Sequence, residues 1–410
     1  MILPQSGPVR KHDVANPPPD REGVFAMHHI VCLSTTAYHA FPTRKQQVMS
    51  RIPDAEILYF DPPVTYLAPL RSAAARTQLT AWKAPGEQVL PNVTRYALPP
   101  ILPFYNKKRA VNRLNRKRLA ECVKKAMAEH GFGPETVLWV YHPSYVDAAR
   151  EIPHAALIYD CVDRHSAYPG LIDPAVVDQM EKELAQESDM VFATSVGLFE
   201  TLSAYNPNTV LIPNGANYEL FSRAMDPATA ADERVAALPR PVFGFVGAIQ
   251  ECTDLKLIEQ IAALYPQGSV VFVGDPLPGV DVSALAARPN VHLLGRVPQT
   301  ELPALIKGFD VCLNLFQNNR LSRDVSPLKF YEYLATGKPI LISPEPSQVL
   351  LFKDAVYLAR EDSLAEACRQ ALSETDDSLI QRRAAYGKAC SWDARVAEMR
   401  KSLAQQGILV

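Results

Sequence analysis

One pattern constrains this chain more than any other. Short continuous apolar runs alternate with helical stretches, and the alternation is played through twice. In the first half the runs fall at 29–34, 56–60, 136–141, 155–161, 190–195 and 209–214, with helical patterns at 43–52, 106–130, 174–187 and 197–205. In the second half they fall at 241–249, 269–274, 291–295, 310–316 and 339–343. A strand apolar on both faces must be covered on both, and helices between successive strands do this for a parallel sheet. The expectation is an α/β chain of two doubly wound, Rossmann-like parallel-sheet domains, at 27–222 and 241–390. The polar stretch 223–240 reads as their linker, and the proline-rich, polar 1–26 as a disordered tail. Residues 391–410 form an amphipathic helix anchored by Trp392, which either crosses back to the first domain or packs on its own. Such sheets bind ligands beyond the carboxyl ends of their strands, so two facing domains hold theirs in the cleft between them.

Composition narrows the function by exclusion. A net charge of −2 gives no general electrostatic reason to bind nucleic acid. The seven cysteines are dispersed through apolar segments without C-x-x-C spacing, which reads as buried thiols in a reducing cytoplasm rather than zinc ligands or a redox pair. No apolar run approaches the roughly 18 residues of a membrane-spanning helix, and the N-terminal residues lack a secretory apolar core. A G-x-G-x-x-G turn after the first strand and a P-loop are both missing, which argues against a dinucleotide oxidoreductase.

The stretch SRDVSPLKFYEYLATGKPIL, 322–341, carries its own punctuation. Pro327 suits the first helical position, where a missing N–H costs nothing, and Ser326 suits the N-cap. Gly337 can supply the left-handed residue that ends the helix after Thr336, and Pro339 blocks continuation. Leu328, Tyr331 and Ala335, with Phe330 and Leu334 beside them, make an apolar face and leave Lys329, Glu332 and Thr336 as a polar stripe. A helix start with free N–H groups, the positive end of its dipole and a lysine can bind a phosphate. The stripe is also compatible with a plain solvated Lys–Glu pair, worth roughly a few tenths of a kcal/mol. The helix alone leaves both readings open.

In a chain of two doubly wound halves, PNGANYELF (213–221) at the end of the first and VSPLKFYEYLATGKPI (325–340) late in the second together resemble the GT-B glycosyltransferases of the group 1/family 4 type. TTAYHAFPTRKQQVMSRI (35–52) and YDCVDRHSAY (159–168) look closest to the teichuronic acid and exopolysaccharide branch. The resemblance implies the GT-B fold and transfer of a sugar from a nucleotide-diphosphate donor, a UDP-sugar foremost, to a hydroxyl of a cell-surface glycan or lipid-linked acceptor. It implies retention of configuration. With no D-x-D triplet in the chain, a metal-dependent GT-A mechanism is unsupported, and no cofactor or metal is expected.

The family's paired acidic residues fall on Asp324 and Glu332. Glu332 would accept hydrogen bonds from the ribose hydroxyls, and the Asp324 region would contact the transferred sugar. Ser326, Pro327, Leu328 and Lys329 would meet the diphosphate, Gly247 would let the backbone approach the donor, and the backbone near Arg296 and Val297 would read the nucleobase. The Arg and Lys that often follow the first strand of the second domain are replaced by VGAIQECTDLK (246–256). Neutralising charge is expected instead from Lys329, Arg323, Arg320 or Arg296. Asn217 stands in the turn where the family usually has Asp. On the first domain, Asp163 and His165 follow a buried strand and suit proton transfer or orientation of the acceptor, although an Asx-type turn explains them as well.

The stretch 106–125 holds nine Lys/Arg against one Glu, with Ala110, Val111 and Leu114 among them. It suits an anionic membrane surface as well as it suits water, and no aromatic residues interleave the charges as single-stranded nucleic acid would require. A cytoplasmic enzyme meeting the inner face of the membrane is the expectation. Two rivals share the architecture: a nucleotide-sugar 2-epimerase, and a partner subunit that has lost turnover.

Overall fold

The computed structural model describes residues 28–39, 42–70, 74–168 and 170–410; the expected tail lies outside them. The first sheet is eight-stranded: β1 (His28–Leu33), β2 (Ala55–Asp61), β3 (Glu87–Leu90), β4 (Val93–Ala97), β5 (Val137–Val140), β6 (Ala156–Cys161), β7 (Met190–Ala193) and β8 (Thr209–Leu211), in the order β3-β4-β2-β1-β5-β6-β7-β8. The second has six: β9 (Val242–Val246), β10 (Ser269–Val273), β11 (Val291–Leu293), β12 (Val311–Asn314), β13 (Ile340–Ile342) and β14 (Tyr357–Leu358), in the order β11-β10-β9-β12-β13-β14. In both, the strand order reverses beside the first strand of the domain, which opens a crevice at the strand C-termini.

Successive residues of β1 divide between two cores, Val31 and Leu33 on one face of the sheet, Ile30 and Cys32 on the other. This burial on both faces explains why the apolar runs were continuous. The expectation of a wholly parallel first sheet fails at one edge: β3 runs antiparallel to β4. Its sequence, EQVL, is half polar and exposed, so no continuous apolar run announced it.

The linker is not a free tether. Glu233–Ala236 is helical, Val235 is fully buried in the second core, and Asp232 donates its N–H to Ala304 O at 3.0 Å. The C-terminal helix Trp392–Gln405 does cross back: Trp392, Val396, Met399 and Leu403 pack with Ile30, Ile57 and Trp139 of the first sheet. The crossing is pinned where the Ala216 N–H donates to Cys390 O at 3.1 Å and the Trp392 N–H donates to Ala216 O at 3.0 Å, on either side of Ser391. A Cβ on Gly215 would come within 2.6 Å of Cys390 O, so the PNG turn needs its glycine for this approach.

Candidate active site in the interdomain cleft

Between the domains lies a cavity of about 750 Å³. Loops from the C-terminal edge of the first sheet bring His39, Thr43, Lys45, Asp163 and Tyr168 to one wall. The second domain supplies Gly247, Gln250, Arg296, Val297, Gln299 and the run Ser326–Lys329, with Glu332.

The helix Leu328–Thr336 starts one residue later than its sequence suggests. Pro327 occupies the N-cap position with extended backbone and makes no capping hydrogen bond. Ser326 therefore does not cap the helix; its Oγ accepts the Asn214 N–H at 3.0 Å, and its carbonyl accepts from Asn214 Nδ2 at 2.7 Å. That contact ties the PNG turn of the first domain to the second. The helix N-terminus is left without a capping side chain and faces the cavity. Its other end is as expected, with Gly337 left-handed at φ 70°.

The Lys329–Glu332 stripe is not a solvated face, since both side chains line the cavity. The Lys329 ammonium sits 3.6 Å above the Phe245 ring, and burial pushes its pKa down to about 7. Burial likewise pushes the Glu332 carboxyl up to about 7, against the hydrogen bond that Gln299 Nε2 donates to Oε1 at 3.3 Å. Burial thus works against the charge of both groups. Thr336 is buried, with its hydroxyl on Tyr333 O at 2.7 Å, and takes no part.

Gly247 has φ +105° and a Cβ there would lie 3.5 Å from Lys329 Cε. The neighbouring Gly274, at φ +142°, packs so closely that a Cβ would lie 2.3 Å from Gly247 O. Both loops must be bare backbone to form this wall. Val297 lies beside Gln299 on the same wall, and Arg296 reaches it with Nε 3.6 Å from Asp275 Oδ2.

Three expected residues stand elsewhere. Asp324 is buried away from the cavity wall, its carboxylate paired with the Arg164 guanidinium of the first domain. Arg164 also donates to Thr201 Oγ1 at 3.1 Å, and a Cβ on Gly197 would lie 2.2 Å from Asp324 Oδ1. A buried carboxylate takes the nearest cation, and here that cation comes from across the cleft. Arg323 is exposed and 3.7 Å from Glu345. His165 is a buried neutral histidine: Nε2 donates to Tyr141 O at 3.1 Å, its ring lies 4.5 Å from that of His142, and burial holds its pKa well below the usual range. It does not reach the cavity. Lys256 pairs with Glu361 on the surface. The side chain of Arg320 lies outside the described residues.

Asp163 does line the cavity. Burial raises its pKa, opposed by the Lys45 charge and a hydrogen bond from Tyr168. No group of three or more His, Cys, Asp or Glu side chains able to hold a metal occurs among the described residues.

With the geometry in place, relatives can be compared. The glycosyl transferase-like family model matches residues 254–401. A Bacillus subtilis protein described as a teichuronic acid biosynthesis glycosyltransferase, TuaH, is 24% identical over 366 residues, 82% of this chain and 91% of that protein. Sucrose-phosphate synthase from Thermosynechococcus elongatus superposes with a TM-score of 0.64 at 16% identity, over 92% of this chain and 98% of the synthase. Anabaena HepE, solved with UDP and glucose, superposes with a TM-score of 0.62 at 14% identity, over 93% and 100% of the two chains. The chain has the GT-B fold, and these likenesses support a glycosyltransferase.

Of the residues that line the cavity, sequence reasoning missed Lys45, Gln299 and Tyr168. Lys45 lies in the helix Arg44–Met49, whose TxxQ capping box is readable: Thr43 N–H donates to Gln46 Oε1 at 2.9 Å. Nothing in the sequence says that this helix turns its second residue into the cleft.

Proposed function

We propose that the enzyme transfers a sugar from a UDP-linked donor to a hydroxyl of a cell-surface glycan or lipid-linked acceptor, without a metal and with retention of configuration. The observation that carries the reading is the uncapped start of the Leu328–Thr336 helix at the cavity wall, with Lys329 beside it. Free N–H donors, the helix dipole and a desolvated ammonium converge where a diphosphate would sit, and fixed donors of this kind stabilise a departing nucleotide without reorganising. Glu332, one turn along, accepts from the ribose hydroxyls. The backbone around Arg296 and Val297 meets the base, and Gly247 lets the donor lie against the main chain. Support for UDP comes from HepE, solved with UDP and glucose. Support for a cell-surface glycan comes from the teichuronic acid description of TuaH. Retention rests on the second-domain motif.

A thermal-shift screen of UDP-, GDP- and ADP-sugars tests this directly. A UDP-sugar should stabilise the wild type and lose most of its effect on Glu332→Ala; unchanged binding by that variant would sink the ribose assignment. Conversion of the donor to an epimer without any acceptor would favour the epimerase.

The acceptor reading places the enzyme at the inner face of a membrane. No helix among the described residues is long and apolar enough to cross one. The basic helix, Arg109–Glu129, turns Leu119, Val123 and Met127 into the core, so its apolar face is not free for lipid. Its Arg109 and Arg116 are also engaged, with Asp147 and Glu183 and with Glu151. What remains outward is Leu114, 69% exposed, among exposed Lys107, Lys108, Arg113 and Lys117. Leu102 joins them by hydrogen bonds to Asn115, and Arg118 lies over the ring of Tyr66, from the turn that carries Leu70, 83% exposed. Exposed leucines ringed by cations suit an anionic bilayer. The loops after β2 and β4 that carry them leave the same edge of the first sheet as the cavity wall.

A further inference from the structure

Of two neighbouring cations on the cavity wall of the first domain, only one has a counter-charge in contact. Arg44 is neutralised and largely engaged: its Nε lies 2.9 Å from Asp160 Oδ1, and Nη1 donates to Ile212 O at 3.0 Å and Pro213 O at 3.2 Å, while Nη2 alone is left without a hydrogen-bond partner. Lys45, the next residue, is 7% exposed and lines the cavity, yet it forms no ion pair or hydrogen bond among the described residues. Its one marked contact is the Tyr141 ring, 5.8 Å from Nζ. A buried ammonium without a partner is costly, and a fold that needed only packing would put an apolar side chain there.

The charge nearest in kind is Asp163, on the same wall. The two feel one another electrostatically but are not in salt-bridge contact. Between a fixed cation and a fixed carboxylate, a hydroxyl can accept from one and donate to the other at once. A phosphate or carboxylate fits less well, because Asp163 would repel it and Arg44 is already neutralised by Asp160.

We infer that Lys45 and Asp163 form a hydroxyl-binding site on the first-domain wall, which holds the acceptor sugar's hydroxyl by a hydrogen bond from the Lys45 ammonium and one to the Asp163 carboxylate. The inference rests on the donor lying against the second domain as proposed above. It adds a positioning pair to that reaction.

The test compares wild type, Lys45→Met, Lys45→Arg and Asp163→Asn in three measurements: melting temperature, Kd for the UDP-sugar found by thermal shift, and UDP release into water and to octyl β-glucoside. Lys45→Met should slow UDP release by roughly 10- to 100-fold, the worth of one charge-assisted hydrogen bond, while donor Kd stays within about two-fold. It should also melt higher, because an uncompensated buried charge is gone. Asp163→Asn should slow release similarly, and Lys45→Arg should recover part of the rate. Unchanged release, a donor Kd weakened as much as the rate, or lower melting of both lysine variants overturns the site. Absence of any UDP-sugar binding by the wild type instead overturns the donor reading, which the melting comparison does not depend on.

Discussion

The domain boundary holds two acid–base constellations of similar make-up and opposite use. Arg164 and Asp324 face each other across the domain boundary, both largely buried, and each is the other's partner. Lys329 and Glu332 share one helix, yet both turn to the cavity and are pulled toward neutrality by burial rather than held charged by each other. Charges that neutralise each other hold the domains in register. Charges left facing a cavity are available to a ligand, and their displaced pKa values record what that exposure to low dielectric costs.

Breaking the first constellation should give the largest effect. Asp324→Ala leaves the Arg164 guanidinium buried and unpaired, and should lower stability by about 3–5 kcal/mol. Urea denaturation would measure this, with UDP-sugar affinity little changed where the protein stays folded. If affinity collapses while stability does not, Asp324 belongs to the sugar site after all. Lys329→Met should do the reverse, weakening UDP-sugar binding by roughly 10- to 100-fold in calorimetry while leaving the fold intact.

pH sharpens the contrast. Lys329, with a pKa of about 7, is protonated below neutrality and loses its charge above it. A diphosphate draws the protonated form, so binding takes up a proton and UDP-sugar affinity should fall as pH rises from 7 to about 9, by up to ~10-fold per unit. Glu332, also near 7, gains its carboxylate over the same range and should weaken binding on the acid side, where it is protonated. Lys329→Met should abolish the alkaline limb and Glu332→Gln the acid one, in affinities measured across pH. The smallest effect is expected outside the cavity, on the basic surface of the first domain. Lys117→Gln should weaken sedimentation with vesicles of phosphatidylglycerol and phosphatidylcholine by around 1 kcal/mol for the one cation removed, and Leu114→Glu should weaken it too, neither altering UDP-sugar binding.

Much of the fold could be read before any coordinates. The buried strands are continuous apolar runs because both faces are covered, and Gly337 and Pro339 end the central helix where they should. The polar edge strand Glu87–Leu90 escaped because pairing on one side alone imposes no apolar pattern. For the site, the second-domain residues were legible: Gly247, Arg296, Val297, Ser326, Pro327, Leu328, Lys329 and Glu332 all reach the cavity. The two members of the acidic pair are placed differently. Glu332 and Asp324 share a motif spacing, but only the helix carries its member into the cleft, while the preceding loop delivers Asp324 to Arg164. On the first domain Asp163 was found and Lys45 was not, since a lysine's partner, or its lack of one, is not written in neighbouring residues.

The chain by itself determined two doubly wound domains, their order, and a helix whose start can hold a phosphate, because these depend on periodicity and on residues a few positions apart. Only the tertiary structure decided which charges meet across the cleft and which stay open to it. That outcome depends on how residues 160 positions apart in sequence, as Arg164 and Asp324 are, come to share one buried volume.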